Sequence, residues 1–61
     1  MIGDTKYISD YDYKRGTTVI GIIYKGSRVL SLEYYGQLNP AAVEEYAKEA
    51  VQLLIDKGVI K

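Results

Sequence analysis

Thr17-Thr18-Val19-Ile20-Gly21-Ile22-Ile23-Tyr24-Lys25-Gly26-Ser27-Arg28-Val29-Leu30-Ser31-Leu32-Glu33-Tyr34-Tyr35 reads as two strands joined by a tight turn. Residues 17–25 are dense in β-branched side chains, which suit a pleated, half-buried surface. Residues 28–35 alternate less cleanly. Gly26-Ser27 between them matches a two-residue hairpin loop with glycine at its first central position, the type II′ signature. That turn sets Lys25 opposite Arg28, Tyr24 opposite Val29 and Ile23 opposite Leu30, and residues directly opposite share a face. One face then holds Val19, Gly21, Ile23, Leu30, Leu32 and Tyr34, and is the expected core. The other holds Thr18, Ile20, Ile22, Tyr24, Val29, Ser31, Glu33 and Tyr35, an apolar set for a face left in water.

Upstream, residues 6–14 alternate Tyr7, Ser9, Tyr11 and Tyr13 with Lys6, Ile8, Asp10 and Asp12, a third strand closed by Lys14-Arg15-Gly16. A three-residue loop with Gly16 in the left-handed position pairs Tyr13 with Thr17 and puts Tyr7, Tyr11 and Tyr13 on the core side. A one-residue slip would move all three to the outer face. The first register exposes Lys6, Asp10 and Asp12, and is the expectation.

Downstream, Asn39 can cap a helix, Pro40 fits its first turn, and Leu38 can staple onto Val43. Gly58 is a natural stop, with Val59 able to fold back on Leu54. At 100° per residue, Leu53, Tyr46, Ala50, Val43, Leu54, Ala47, Val51 and Ile55 spread over an apolar arc of roughly 200°, where an ordinary surface helix needs roughly 100°. Val51 and Ile55, at one margin, read as spare contact surface. The fold expected is α+β: one domain over residues 1–61, with antiparallel strands at about 6–14, 17–25 and 28–35. A C-terminal helix at about 40–57 packs on one face of the sheet.

A chain of 61 residues buries only about 60% of the surface its unfolded form exposes, so its core is thin unless something supplements it. Cysteine and histidine are both absent, which excludes disulfides and leaves little for a nitrogen- or sulfur-ligated metal; no cofactor is expected. Oligomerisation, or an efficient core, is what remains. All seven aromatic residues are tyrosine, a ring with a hydroxyl that suits half-buried positions and interfaces better than a dry core. No apolar run is long enough to cross a membrane. Met1 to Asp4 lack the pattern of a secretory leader, so the expected location is cytoplasmic.

Catalysis finds little footing. A base would have to come from Asp, Glu, Lys or Tyr. Asp10 and Asp12, about 7 Å apart on one strand face, have an acid/base spacing but read first as a solvated edge. Ser27 has no histidine to activate it. The run Thr17 to Glu33 is similar to the start of a proteasome-type catalytic β subunit, with Thr17 in the nucleophile's place. The lysine that family requires falls at Glu49, and the chain is too short for its two-sheet sandwich.

Tyr24-Lys25-Gly26-Ser27-Arg28, then Tyr35-Gly36, then Asn39-Pro40-Ala41-Ala42 and Glu45-Tyr46-Ala47 carry a second likeness. In their order of three strands and a helix they resemble the plant ethylene-response DNA-binding domain and the arm-binding domain of phage integrases. The resemblance implies a sheet face that enters the major groove, with Arg15, Lys25 and Arg28 in or beside the turns reaching phosphates. Ile20, Ile22 and Glu33 depart from that pattern. Eight Lys+Arg against eight Asp+Glu give no net charge, which disfavours nucleic acid as partner. The leading expectation is therefore a non-enzymatic module that contacts protein and self-associates into a homo-oligomer. Ile20, Ile22, Tyr24, Tyr35, Val51 and Ile55 are its expected interface; DNA binding is the alternative.

Overall fold

Tight turns join consecutive strands only as antiparallel neighbours, and three such strands form the sheet here. The computed structural model describes residues 3–60, in the order β1 (Thr5–Asp12), β2 (Thr17–Tyr24), β3 (Ser27–Tyr35) and α1 (Pro40–Asp56). Met1 and Ile2, where the leader reading begins, lie outside the described residues. The sheet order is β1-β2-β3, with β2 in the centre and α1 packed on one face. Among the described residues no helix is long and apolar enough to cross a membrane.

Both turns differ from the sequence reading. Between β2 and β3 the loop is Lys25-Gly26, with φ of 52° and 82°, and Tyr24 faces Ser27 across it. Two successive positive φ values make a type I′ turn, whose twist matches that of the strands it joins. Gly26 occupies the second left-handed position, not the first. Between β1 and β2 the loop is one residue longer than expected, because Asp12 organises it. One Asp12 carboxylate oxygen accepts from the amides of Lys14 (3.0 Å) and Arg15 (3.3 Å), and its carbonyl accepts from the Gly16 amide (2.8 Å). Asp12 therefore pairs with Thr17, and Tyr13 is left outside the ladder, exposed in the turn.

The larger correction is to the faces of β2. Ile20 and Ile22, expected on the outer face, have no solvent exposure and lie at the centre of the core under the helix. The expected β3 set, Leu30, Leu32 and Tyr34, does pack against that core. A bulge reconciles the two strands. Ile23 faces Arg28, but Ile22 faces Leu30, so Val29 is an extra residue on β3. Beyond it the pairing parity reverses, and Leu30, Leu32 and Tyr34 fall opposite Ile22, Ile20 and Thr18. Tyr7 and Tyr11 still join the core side, opposite Ile22 and Thr18. Their register slipped by one residue, and the face of β2 also reversed, so the two changes cancel.

The helix begins where Asn39 Oδ1 accepts from the Ala42 amide (2.8 Å), with Pro40 in the first turn. It ends in two backbone bonds, Gly58 N to Ile55 O (3.0 Å) and Val59 N to Leu54 O (2.9 Å), closed by Gly58 at φ 77°. The chain folds back there as expected, but Ile60, not Val59, enters the core. Val43, Ala47, Ala50, Val51 and Leu54 are buried on the sheet side. Two alanines in that row let the helix approach Ile20 and Ile22 closely, and each fully buried isoleucine contributes about 1.5–3 kcal/mol. Thr18 ties the β3–α1 connection to the centre of the sheet. Its hydroxyl donates to Gly36 O (2.7 Å) and accepts from the Leu38 amide (3.1 Å).

Candidate interaction surface

The structure distributes the six expected interface residues over different environments. Ile20, Ile22 and Val51 are buried in the core, and Ile55 and Tyr24 are half-buried against it. Only Tyr35, 93% exposed, stands free on the surface. The helix is rotated from the expected setting, so that Val51 and Ile55 turn inward while Leu53, at the other margin of the apolar arc, is half exposed. The surplus apolar width of α1 is real, but it lies on the Leu53 side.

That side faces β3. Leu30, Leu32 and Tyr34 from the strand and Tyr46, Glu49, Ala50 and Leu53 from the helix line a shallow groove of about 190 Å³, apolar but for Glu49. The Tyr34 and Tyr46 rings stack across one end of it, with centroids 4.5 Å apart and planes 16° from parallel. The groove runs beside an edge strand, because β3 has β2 as its neighbour on one side and none on the other among the described residues. The Gly36 amide donates to Gly16 O (2.8 Å), which marks the even-numbered residues here as those bonded to β2. In an antiparallel ladder the bonding direction alternates. Ser31, Glu33 and Tyr35 therefore turn their amides and carbonyls toward the free edge.

The sheet face opposite the helix carries Lys6, Ile8, Asp10, Val19, Ile23, Arg28, Ser31, Glu33 and Tyr35. Ile8, Val19 and Ile23 are an apolar strip broken by charges of both signs. A Cβ at Gly21 would meet Arg28 Nε at 3.1 Å and Ile8 Cγ1 at 3.3 Å, so the missing side chain is what lets Arg28 lie flat across the sheet.

The three basic residues named for phosphate contact do not form one patch. Arg15 pairs with Glu33 (3.2 Å), Lys25 lies over the Tyr24 ring at 5.2 Å, and Arg28 reaches Ser31 Oγ at 3.5 Å. Arg15 and Lys25 sit in turns at opposite ends of β2, roughly 25 Å apart by strand rise. Asp10, Asp12 and Glu33 share the face that would meet DNA. Asp12 is engaged as the turn's acceptor, and Asp10 accepts from the Tyr11 amide (3.0 Å).

The groove was missed in the sequence because its two walls lie on elements whose relative rotation is a tertiary property. The surviving signal was the helix's excess apolar width. Comparison with protein-family models, with curated proteins and with solved structures finds no match. The likeness to the integrase and ethylene-response domains is one of element order.

Proposed function

We propose that this chain acts as a small non-enzymatic binding module that works by protein–protein contact, and that another copy of itself is among its partners. The observation that carries the reading is the free β3 edge lying beside the apolar groove of Leu30, Leu32, Tyr34, Tyr46, Ala50 and Leu53. Unpaired strand edges bind other strands through their main-chain groups, and neighbouring apolar pockets add side-chain specificity. Tyrosine, prominent in this groove, is enriched at protein interfaces. A chain this small also stands to gain stability from association in a concentration-dependent way.

Sedimentation equilibrium combined with thermal unfolding at several protein concentrations tests the proposal. The expected result is a mass above that of one chain and a melting temperature that rises with concentration. A chain that stays monomeric up to about 1 mM, where even a contact worth only about 4 kcal/mol would register, and melts at one temperature throughout does not self-associate.

A further inference from the structure

Resting on that reading, we infer that the chain pairs with a second copy of itself, β3 against β3, antiparallel about a two-fold axis through Ser31. Four observations converge on this register. The first is directional. From Ser31 to Tyr35, beyond the bulge, the residues that turn their main-chain groups outward are odd-numbered, so main-chain bonds across the seam there set odd residues opposite odd residues. All such registers put the two helices on the same face of the joined sheet, and the two grooves then meet along the seam.

The second is the strand's own sequence. Ser31 is the midpoint of Ser27–Tyr35, so a two-fold axis there lays the two strands side by side along their full length, with the main-chain bonds centred on Ser31. Leu30-Ser31-Leu32 reads the same in both directions. On the helix face, Leu30 of each copy meets Leu32 of the other. On the open face the two Ser31 side chains meet.

The third is charge. Glu33 of the second copy falls opposite Val29, whose side chain turns to the helix side because it is the bulge residue. The open-face side chain nearest that Glu33 is then Arg28, and the two-fold axis makes the contact twice. Among the described residues Arg28 has no carboxylate within 4 Å, and its weak contact to Ser31 Oγ is easily exchanged. Glu33, already held by Arg15 and Thr17, is 39% exposed and has lone pairs to spare. A shift of one register step either way loses this match: it sets Ser31 opposite the bulge or opposite Glu33.

The fourth is area. A stable contact covers about 800 Å² per partner, about a fifth of the chain's 4327 Å² surface. The strand edge alone is too narrow for that. The edge together with Leu53, Tyr46 and Tyr34 forms a strip as long as the strand, about 30 Å.

Cysteine is absent from the chain, so single cysteines report the register without interference. Residue 31 and its mate would be a hydrogen-bonded pair with Cα atoms about 5.5 Å apart, within disulfide reach. Residue 27 and its mate would lie roughly 27 Å apart. Mild oxidation should therefore convert Ser31→Cys to a covalent dimer and leave Ser27→Cys as single chains. Ser31→Pro removes an amide that the β2–β3 ladder does not use, so it should give a folded chain with the mass of one copy. Arg28→Glu, which loses no ion pair within the chain, should weaken the dimer about tenfold and do so less at high salt. It decides the matter if the proline variant does not fold. A wild-type dimer in which Ser27→Cys cross-links as readily as Ser31→Cys, or in which Arg28→Glu leaves the dimer's affinity unchanged, overturns this pairing while self-association stands. A monomeric wild type overturns both.

Discussion

Ile22 lies opposite Leu30 in the β2–β3 ladder, although one residue nearer the turn Ile23 lies opposite Arg28. The extra residue, Val29, is what puts Leu30, Leu32 and Tyr34 on the same side of the sheet as Ile20 and Ile22. Without that bulge the apolar residues of β2 and β3 would be divided between the two faces, and one helix could cover only half of them.

Deletions at two nearby positions should therefore differ sharply. Deleting Val29 makes the ladder regular and keeps Ile22 opposite Leu30, so the chain should still fold cooperatively, losing no more than about 1.5 kcal/mol for one half-buried valine. Deleting Ser31 turns Leu32 and Tyr34 to the open face and should abolish cooperative unfolding. Circular dichroism with urea titration of both variants checks this; equal losses would mean that the bulge does not set the register.

The core assignment makes its own demand. Ile20→Ala, Ile22→Ala and Leu54→Ala should each cost about 2–5 kcal/mol, close to all the stability a core this small supplies. Leu53→Ala, at a half-exposed site, should cost under about 1 kcal/mol. Ile22→Lys should fail to fold, because it buries a charge with no partner. A folded Ile22→Lys chain would place that residue on the surface after all.

Lys25 holds φ at 52° in the first central position of the β2–β3 turn. A left-handed conformation costs a residue with a Cβ about 1–2 kcal/mol, and asparagine tolerates it best. Lys25→Asn should stabilise the chain by about 0.5–1 kcal/mol, less whatever the contact of Lys25 with the Tyr24 ring contributes. At this chain length that is a rise of roughly 2–8 °C in Tm. Gly26→Ala should lower Tm, since the second central position is also left-handed. Calorimetry of the two variants at one fixed concentration reads both shifts, and a fall in Tm for Lys25→Asn would contradict the turn geometry.

Duplex DNA is the partner the mixed charges argue against. Arg15, Lys25 and Arg28 are spread over both ends of the sheet, and Asp10, Asp12 and Glu33 lie on the same open face. Fluorescence anisotropy should show no binding at micromolar protein in low salt, where phosphate contacts are at their strongest. Saturable binding that weakens steeply with added salt would restore the nucleic-acid reading.

What was legible in the sequence was local. Val, Ile and Thr crowded into residues 17–23 make a strand whichever neighbours it finds, and Gly26 and the segment ending at Gly16 punctuate strands by their own conformational preferences. Asn39-Pro40 and Gly58 bound the helix through bonds made within a few residues of themselves. Those features determine the order of three strands and a helix, and the fold class with it. The faces were not legible, because Val19, Gly21 and Ile23 are nearly as apolar as Thr18, Ile20 and Ile22, so alternation along β2 does not distinguish inside from outside. Tertiary pairing decided it: a bulge at Val29, an Asp12-organised turn one residue longer than expected, and an α1 rotation that turned Val51 and Ile55 inward and left Leu53 beside β3. Each depends on residues distant in sequence competing for the same buried space, and the groove beside the β3 edge exists only because that competition ended with Ile20 and Ile22 inside.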